Sequence, residues 1–106
     1  MKKIWIDDLR DPKDFVEGDW IWVKSSAEAI QTLEEFKIKN EVIRAISFDH
    51  DLGGDDTTRP VMLWMCDREF WPKVCYVHSS NPPGAKWLRE MIEVYGPGGK
   101  HGPAVT

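Results

Sequence analysis

The sequence predicts a small three-layer α/β domain whose four strands form one parallel sheet in the order 2-1-3-4. Three observations carry this. Four short apolar runs rich in Ile, Val, Trp and Phe are spaced along 106 residues. Amphipathic stretches follow the second, third and fourth runs, which is the alternation of a parallel sheet with right-handed crossovers. The first, third and fourth runs each stop at a polar cluster, as strands do when their carboxyl ends meet a ligand crevice.

The first run, Lys3 to Ile6, ends in Asp7-Asp8. The stretch Asp7 to Asp19 contains Pro12 and Gly18 and is too polar for a helix, so a loop joins the first two strands. Trp20-Ile21-Trp22-Val23 reads as the second strand, with both tryptophans on one face. They read as core, and on an edge strand also as a candidate homodimer contact. Ser25 and Glu28 stand at capping-box spacing ahead of a helix with the stripe Ala29, Ile30, Leu33 and Phe36. Ile43 to Phe48 is the third strand and ends in Asp49-His50-Asp51. A Gly-Gly-Asp-Asp-Thr-Thr loop (53–58) leads to a helix over Val61 to Phe70, with Pro60 in its first turn and Pro72 beyond its end. Val74 to Val77 is the fourth strand, ending in His78-Ser79-Ser80-Asn81. Pro82-Pro83 is expected to break the chain before a last helix from about Ala85 to Tyr95, with Trp87, Leu88, Met91 and Ile92 on one face. This makes one domain over 1–95 and a flexible C-terminal tail over 96–106.

Charged residues are 30% of the chain, and 18 acidic against 14 basic residues leave a net charge of −4. That balance excludes a broad grip on duplex DNA and leaves room for a nucleotide or an RNA end held at one site. Cys66 and Cys75 form no CxxC pair and read as free thiols of a reducing compartment. No apolar run has the length of a membrane span or the form of a signal peptide, so a cytoplasmic location without membrane contact is expected.

Adjacent strands lie about 4.8 Å apart, which brings Asp7, Asp8, Asp49, His50 and His78 within about 10 Å of one another. Asp7, Asp8 and Asp51 are the expected ligands of Mg²⁺ or another divalent cation, which favours carboxylates alongside phosphate oxygens. Asp49 crowds the same place with like charge, a cost that a cation or Arg10 offsets. Arg10 can equally be a surface residue paired with Asp11 or Asp14. His50 and His78, with Asp49, are expected to act as acid and base, although single strand-end histidines are more often structural. Ser79 and Asn81 are expected to donate to phosphate oxygens, or else serve as loop residues. Neither GxGxxG nor GK[ST] is present, so Gly53-Gly54 reads as a flexible turn.

Ile-Trp-Ile-Asp-Asp-Leu-Arg (4–10), Ser-Phe-Asp-His-Asp-Leu-Gly-Gly (47–54) and Val-His-Ser-Ser-Asn-Pro (77–82) resemble the cyclic-phosphate-processing receiver-like family, within the response-regulator receiver superfamily. The resemblance spans about residues 3 to 94. It implies a receiver/flavodoxin-like fold and phosphoesterase-type processing of cyclic phosphate on a nucleotide or RNA end. The site residues it implies are Asp7, Asp8, Arg10, Asp49, His50, Asp51, His78, Ser79 and Asn81. The chain departs from an ordinary receiver in lacking a helix after the first strand and an evident fifth strand. Its only stand-in for the receiver lysine is Lys100 in the glycine-rich tail. Two alternatives stay open: a non-catalytic module that binds or sequesters a phosphorylated or cyclic nucleotide, and a degenerate phosphoacceptor receiver.

Overall fold

Apolar, β-branched runs too short for helices pair as strands, and each finds its partner through the right-handed crossover that follows it. The computed structural model describes residues 1–97. Its elements are β1 (Lys2–Ile6), β2 (Ile21–Val23), α1 (Ser26–Ile38), β3 (Ile43–Phe48), α2 (Arg59–Arg68), β4 (Val74–Val77) and α3 (Pro82–Tyr95), with one turn of 3₁₀ helix at Pro12–Asp14. The sheet is parallel throughout and ordered β2-β1-β3-β4, as expected.

Register assigns the two faces. Ile4 pairs with Ile21 and Ile46, Ile6 with Val23 and Phe48, and Ile46 with Cys75, so these side chains share one face. The steps β2→β3 and β3→β4 advance in the same direction across the sheet, so right-handed crossovers put α1 and α2 on that same face. Helix α3, which follows the last strand, packs its Ala85, Leu88 and Ile92 into the same core. There Leu33, Met62, Met65, Leu88 and Ile92 close the core with it. The step β1→β2 runs the other way and would put a helix on the opposite face. Its sequence is too polar, so the third layer is the loop instead. Phe15 stacks on Trp5 at 6.1 Å and Trp20 meets it edge-on at 5.9 Å, leaving Trp5 fully buried.

The strands and α2 begin within two residues of the sequence expectation, and two boundaries differ from it for a clear physical reason. Pro82-Pro83 does not break the chain but opens α3: Asn81 is its N-cap, accepting a hydrogen bond from Gly84 N at 3.1 Å. Proline suits the first turn, where a helix has no partner for an N–H. Helix α2 ends at Arg68, short of Phe70, because Glu69 turns left-handed (φ 50°) and returns its N–H to the last turn. Both cysteines are free, and burial pushes the Cys75 thiol up to about 12. No helix among the described residues is long and apolar enough to cross a membrane. Of the expected flexible tail, residues 98–106 lie outside the described residues, Lys100 and His101 included.

Candidate functional site

The carboxyl ends of β1, β3 and β4 meet in one cleft, because the ladder continues one residue past each strand. Asp7 N donates to Val23 O at 3.0 Å, Asp49 N to Ile6 O at 2.9 Å and His78 N to Phe48 O at 2.9 Å. Strand alternation then turns Asp7, Asp49 and His78 to the loop side of the sheet, in line with Trp5, Ser47 and Tyr76.

Asp7 is buried and heavily bonded. Its Oδ1 accepts from Leu9 N (2.8 Å) and Arg10 N (2.9 Å), which folds the chain sharply after β1. Its Oδ2 accepts from His78 Nε2 at 3.1 Å, and the Trp22 indole donates to its backbone carbonyl at 2.7 Å. A carboxylate offers about four lone-pair sites. Three are occupied, and the one left over is on Oδ2.

One carboxylate oxygen each from Asp7, Asp8 and Asp49 lies within 4.8 Å of the others. Burial, then the charges of Asp7 and Asp8, push the Asp49 carboxyl up to about 6, against the opposing pull of Arg10. Gly53 holds φ +87°, and a Cβ there would press on the Asp8 carboxylate. Gly53 lines the cleft, and its turn is closed by hydrogen bonds from Leu52 N to Asp56 O at 2.9 Å and from Asp56 N to Gly53 O at 3.0 Å. The cleft encloses about 290 Å³ and is completed by Leu9, Arg10, Asp51 and Ser80.

His78 is 1% exposed and lies flat on Trp5, with ring centroids 3.8 Å apart and 8° between planes. Its Nδ1 is 2.6 Å from the Ser47 hydroxyl. With Asp7 accepting at Nε2, the ring proton sits on Nε2 and Ser47 donates to Nδ1. Burial holds the His78 pKa well below the ordinary histidine range, outweighing the attraction of Asp7.

His50 faces the helices. Arg59 Nε donates to its Nε2 at 2.9 Å, so its proton is on Nδ1, which donates to Asp51 Oδ1 at 2.8 Å. The ring packs so closely on Gly84 of α3 that a Cβ there would overlap it. The Arg59 guanidinium lies 4.5 Å from the Trp87 ring centroid. The expected acid–base pair of His50 and His78 is therefore not brought together: the two rings sit on opposite sides of the sheet, and all four ring nitrogens are bonded within the fold.

The remaining expected residues divide. Asp51 stands apart from the aspartate trio and accepts from His50 and from Asn81 Nδ2 at 3.1 Å, and the His50 bond lowers its pKa. Asn81 spends its oxygen on capping α3 and its nitrogen on Asp51. Ser79 Oγ accepts from Asn81 N at 3.1 Å, while the neighbouring Ser80 lines the cleft. Arg10 reaches across to donate to the His78 carbonyl at 3.2 Å.

A family model described as the cyclic-phosphate processing Receiver domain matches residues 2–94. The chain belongs to this family. Comparison with curated proteins gave no match, and comparison with solved structures gave none. In this receiver domain, Ser47, Arg59, Trp5 and Gly84 are the site-shaping residues that sequence reasoning missed. Ser47 carried a faint signal: it is a lone hydroxyl in an apolar strand, two residues before Asp49 and so on the same face. Arg59 and Gly84 carried none, since only the packing of α2 and α3 brings them to His50.

Proposed function

We propose that this receiver domain is a phosphoesterase that opens or removes a cyclic phosphate on a nucleotide or RNA end, in the cleft where Asp7, Asp8 and Asp49 converge. The observation that carries the reading is the approach of three carboxylate oxygens within 4.8 Å, where burial first and the neighbouring charges second make Asp49 resist ionisation. The donor set fits Mg²⁺ or another divalent cation: all oxygen, nearly buried, with Asp7 free to offer one lone pair. Bound there, such a cation supplies positive charge to the oxygens of a phosphate.

The chain's own residues do the rest. Hydrolysis adds water across one ring P–O bond, the water oxygen going to phosphorus and a proton to the departing ring oxygen. With both ring nitrogens of His50 and of His78 engaged, the carboxylates of Asp8 and Asp49 are the groups in the cleft that can take and return that proton. Arg10 keeps N–H groups beyond the one given to His78 O, and these suit phosphate oxygens. His78 acts through Asp7, fixing its second oxygen, and His50 acts through Asp51. The free thiols fit a reducing compartment, so a cytoplasmic location is part of the proposal.

The engagement of both histidines also favours a second reading, a module that binds the same ligand without turnover. Incubating the protein with 2′,3′-cyclic nucleotides, with and without Mg²⁺, separates the two. Appearance of the ring-opened monoester by mass spectrometry, dependent on the cation and lost in Asp49→Asn, supports the phosphoesterase. Calorimetric binding of unchanged nucleotide supports the module. Modification of Asp49 by acetyl phosphate or beryllofluoride would replace both with a phosphoacceptor.

A further inference from the structure

The loop that replaces a helix between β1 and β2 covers only part of its side of the sheet. Beyond Trp20, toward the amino ends of the strands, is a depression of about 310 Å³ lined by Lys3, Trp20, Arg44, Lys73 and Tyr76, with Ala45 and Val74 also on its wall. In a chain of net charge −4, three of the lining residues are cations and none is acidic. Arg44 is there because of a backbone irregularity. Lys2 pairs with Ile43 but Lys3 with Ala45, so β3 carries one extra residue at position 44. Strict alternation would send Arg44 to the helix side with Ile46. The bulge releases it from alternation, so that it lines the depression with Ala45. Trp20 and Tyr76 are half-buried aromatics on the same surface, and Lys3 Nζ stands 5.0 Å from the centre of the Trp20 ring.

We propose that this half of the sheet binds single-stranded nucleic acid, so that the preferred substrate is the end of an oligonucleotide strand, with a free mononucleotide turned over more weakly at the same aspartates. Cations spaced around aromatic faces on a sheet match a chain of phosphates with stackable bases. The patch is too small for the wide basic footprint that duplex binding needs. Asp49 lies four residues beyond Ala45 on the same strand and the same face, about 13 Å away at the rise of a parallel strand. A strand whose terminal phosphate reached the aspartates would therefore have its next nucleotides over the depression. The substrate half of this statement rests on the proposed function; the binding half does not.

The test is fluorescence anisotropy with a labelled eight-base oligoribonucleotide ending in a plain 3′-hydroxyl, on wild type, Arg44→Glu/Lys73→Glu and Tyr76→Ala. Both charged positions are exposed, and thermal melts verify that the variants fold. Binding is expected in wild type and at least about tenfold weaker in each variant, as the loss of phosphate contacts or of one stacked base predicts. The slope of log K against log salt should also fall by about 1.4 in the double variant, at 0.7 per phosphate contact on a single strand. Equal binding by wild type and variants overturns the inference. So does a wild-type dimer in sedimentation that the double variant dissociates, since a second copy would then cover the face. Turnover of a 2′,3′-cyclic mononucleotide, measured separately, reports on the aspartate cleft alone, so the two readings fail independently.

Discussion

His78 and His50 each stand one or two residues past the end of a strand, both buried and with both ring nitrogens bonded, but on opposite sides of the sheet. On the loop side, Ser47, His78 and Asp7 form a line of hydrogen bonds that ends on a carboxylate of the cleft. On the helix side, Arg59, His50, Asp51 and Asn81 form a line that ends on the cap of α3. The first line delivers a fixed oxygen to the cluster of like charges. The second ties the β3 turn to two helices. The same residue type thus serves the charge cluster in one place and the scaffold around it in the other, and what decides is the parity of one strand position.

The largest expected effect sharpens this contrast directly. Asp49→Asn should lower turnover of a cyclic nucleotide about 10³-fold, which is about 4 kcal/mol of transition-state stabilisation. Steady-state kinetics would check it, and a drop below tenfold would detach Asp49 from the chemistry. His78→Ala comes next. It opens a gap against Trp5 and strips a donor from Asp7 and an acceptor from Ser47, so denaturant unfolding should show a loss of about 2–4 kcal/mol. The apparent Mg²⁺ affinity should weaken with it. His50→Ala should cost less, about 1–3 kcal/mol, because its side chain is bonded to the exposed Asp51, and should leave Mg²⁺ affinity in place. Equal effects of the two variants on Mg²⁺ affinity would erase the distinction.

Gly84→Ala probes the helix side alone. Its Cβ would overlap the His50 ring, so a loss of about 1–3 kcal/mol is expected by overpacking, with little effect on the Asp7–His78 line.

The smallest effect is on pH. Asp49 has its folded pKa raised from 3.8 to about 6, so its contribution to stability is full below about 4 and is lost as pH rises through about 6. The His78 pKa is lowered from 6.5, so its contribution is full above 6.5 and is lost as pH falls toward the folded value. Without divalent cations the two oppose each other between pH 4 and 6.5, and the melting temperature should vary little. Asn at position 49 removes the first contribution, and the variant should then lose stability steadily on acidification. Added Mg²⁺ should raise the wild-type melting temperature more at pH 7.5 than at pH 5, since the ligands must be ionised.

The convergence of Asp7, Asp8, Asp49 and His78 was legible in the sequence because parallel strands with short polar endings leave few other arrangements. Strand spacing and alternation are properties of the backbone, and apolar runs such as Ile43 to Phe48 declare their length and direction. The sequence likewise determined that no α-helix forms between β1 and β2, since the stretch Asp7 to Asp19 is mostly polar and is interrupted by Pro12 and Gly18. Tertiary structure alone decided which polar side chains face each other. Asp49 and Asp51 share a face in a regular strand, but the turn after β3 sends Asp51 to His50 and leaves Asp49 with Asp7 and Asp8. Arg44 reaches the open face only through a bulge, and Arg59 reaches His50 only through the packing of α2. Local pattern sets the period of a strand or helix, whereas register shifts and helix docking are settled by contacts between residues far apart in the chain.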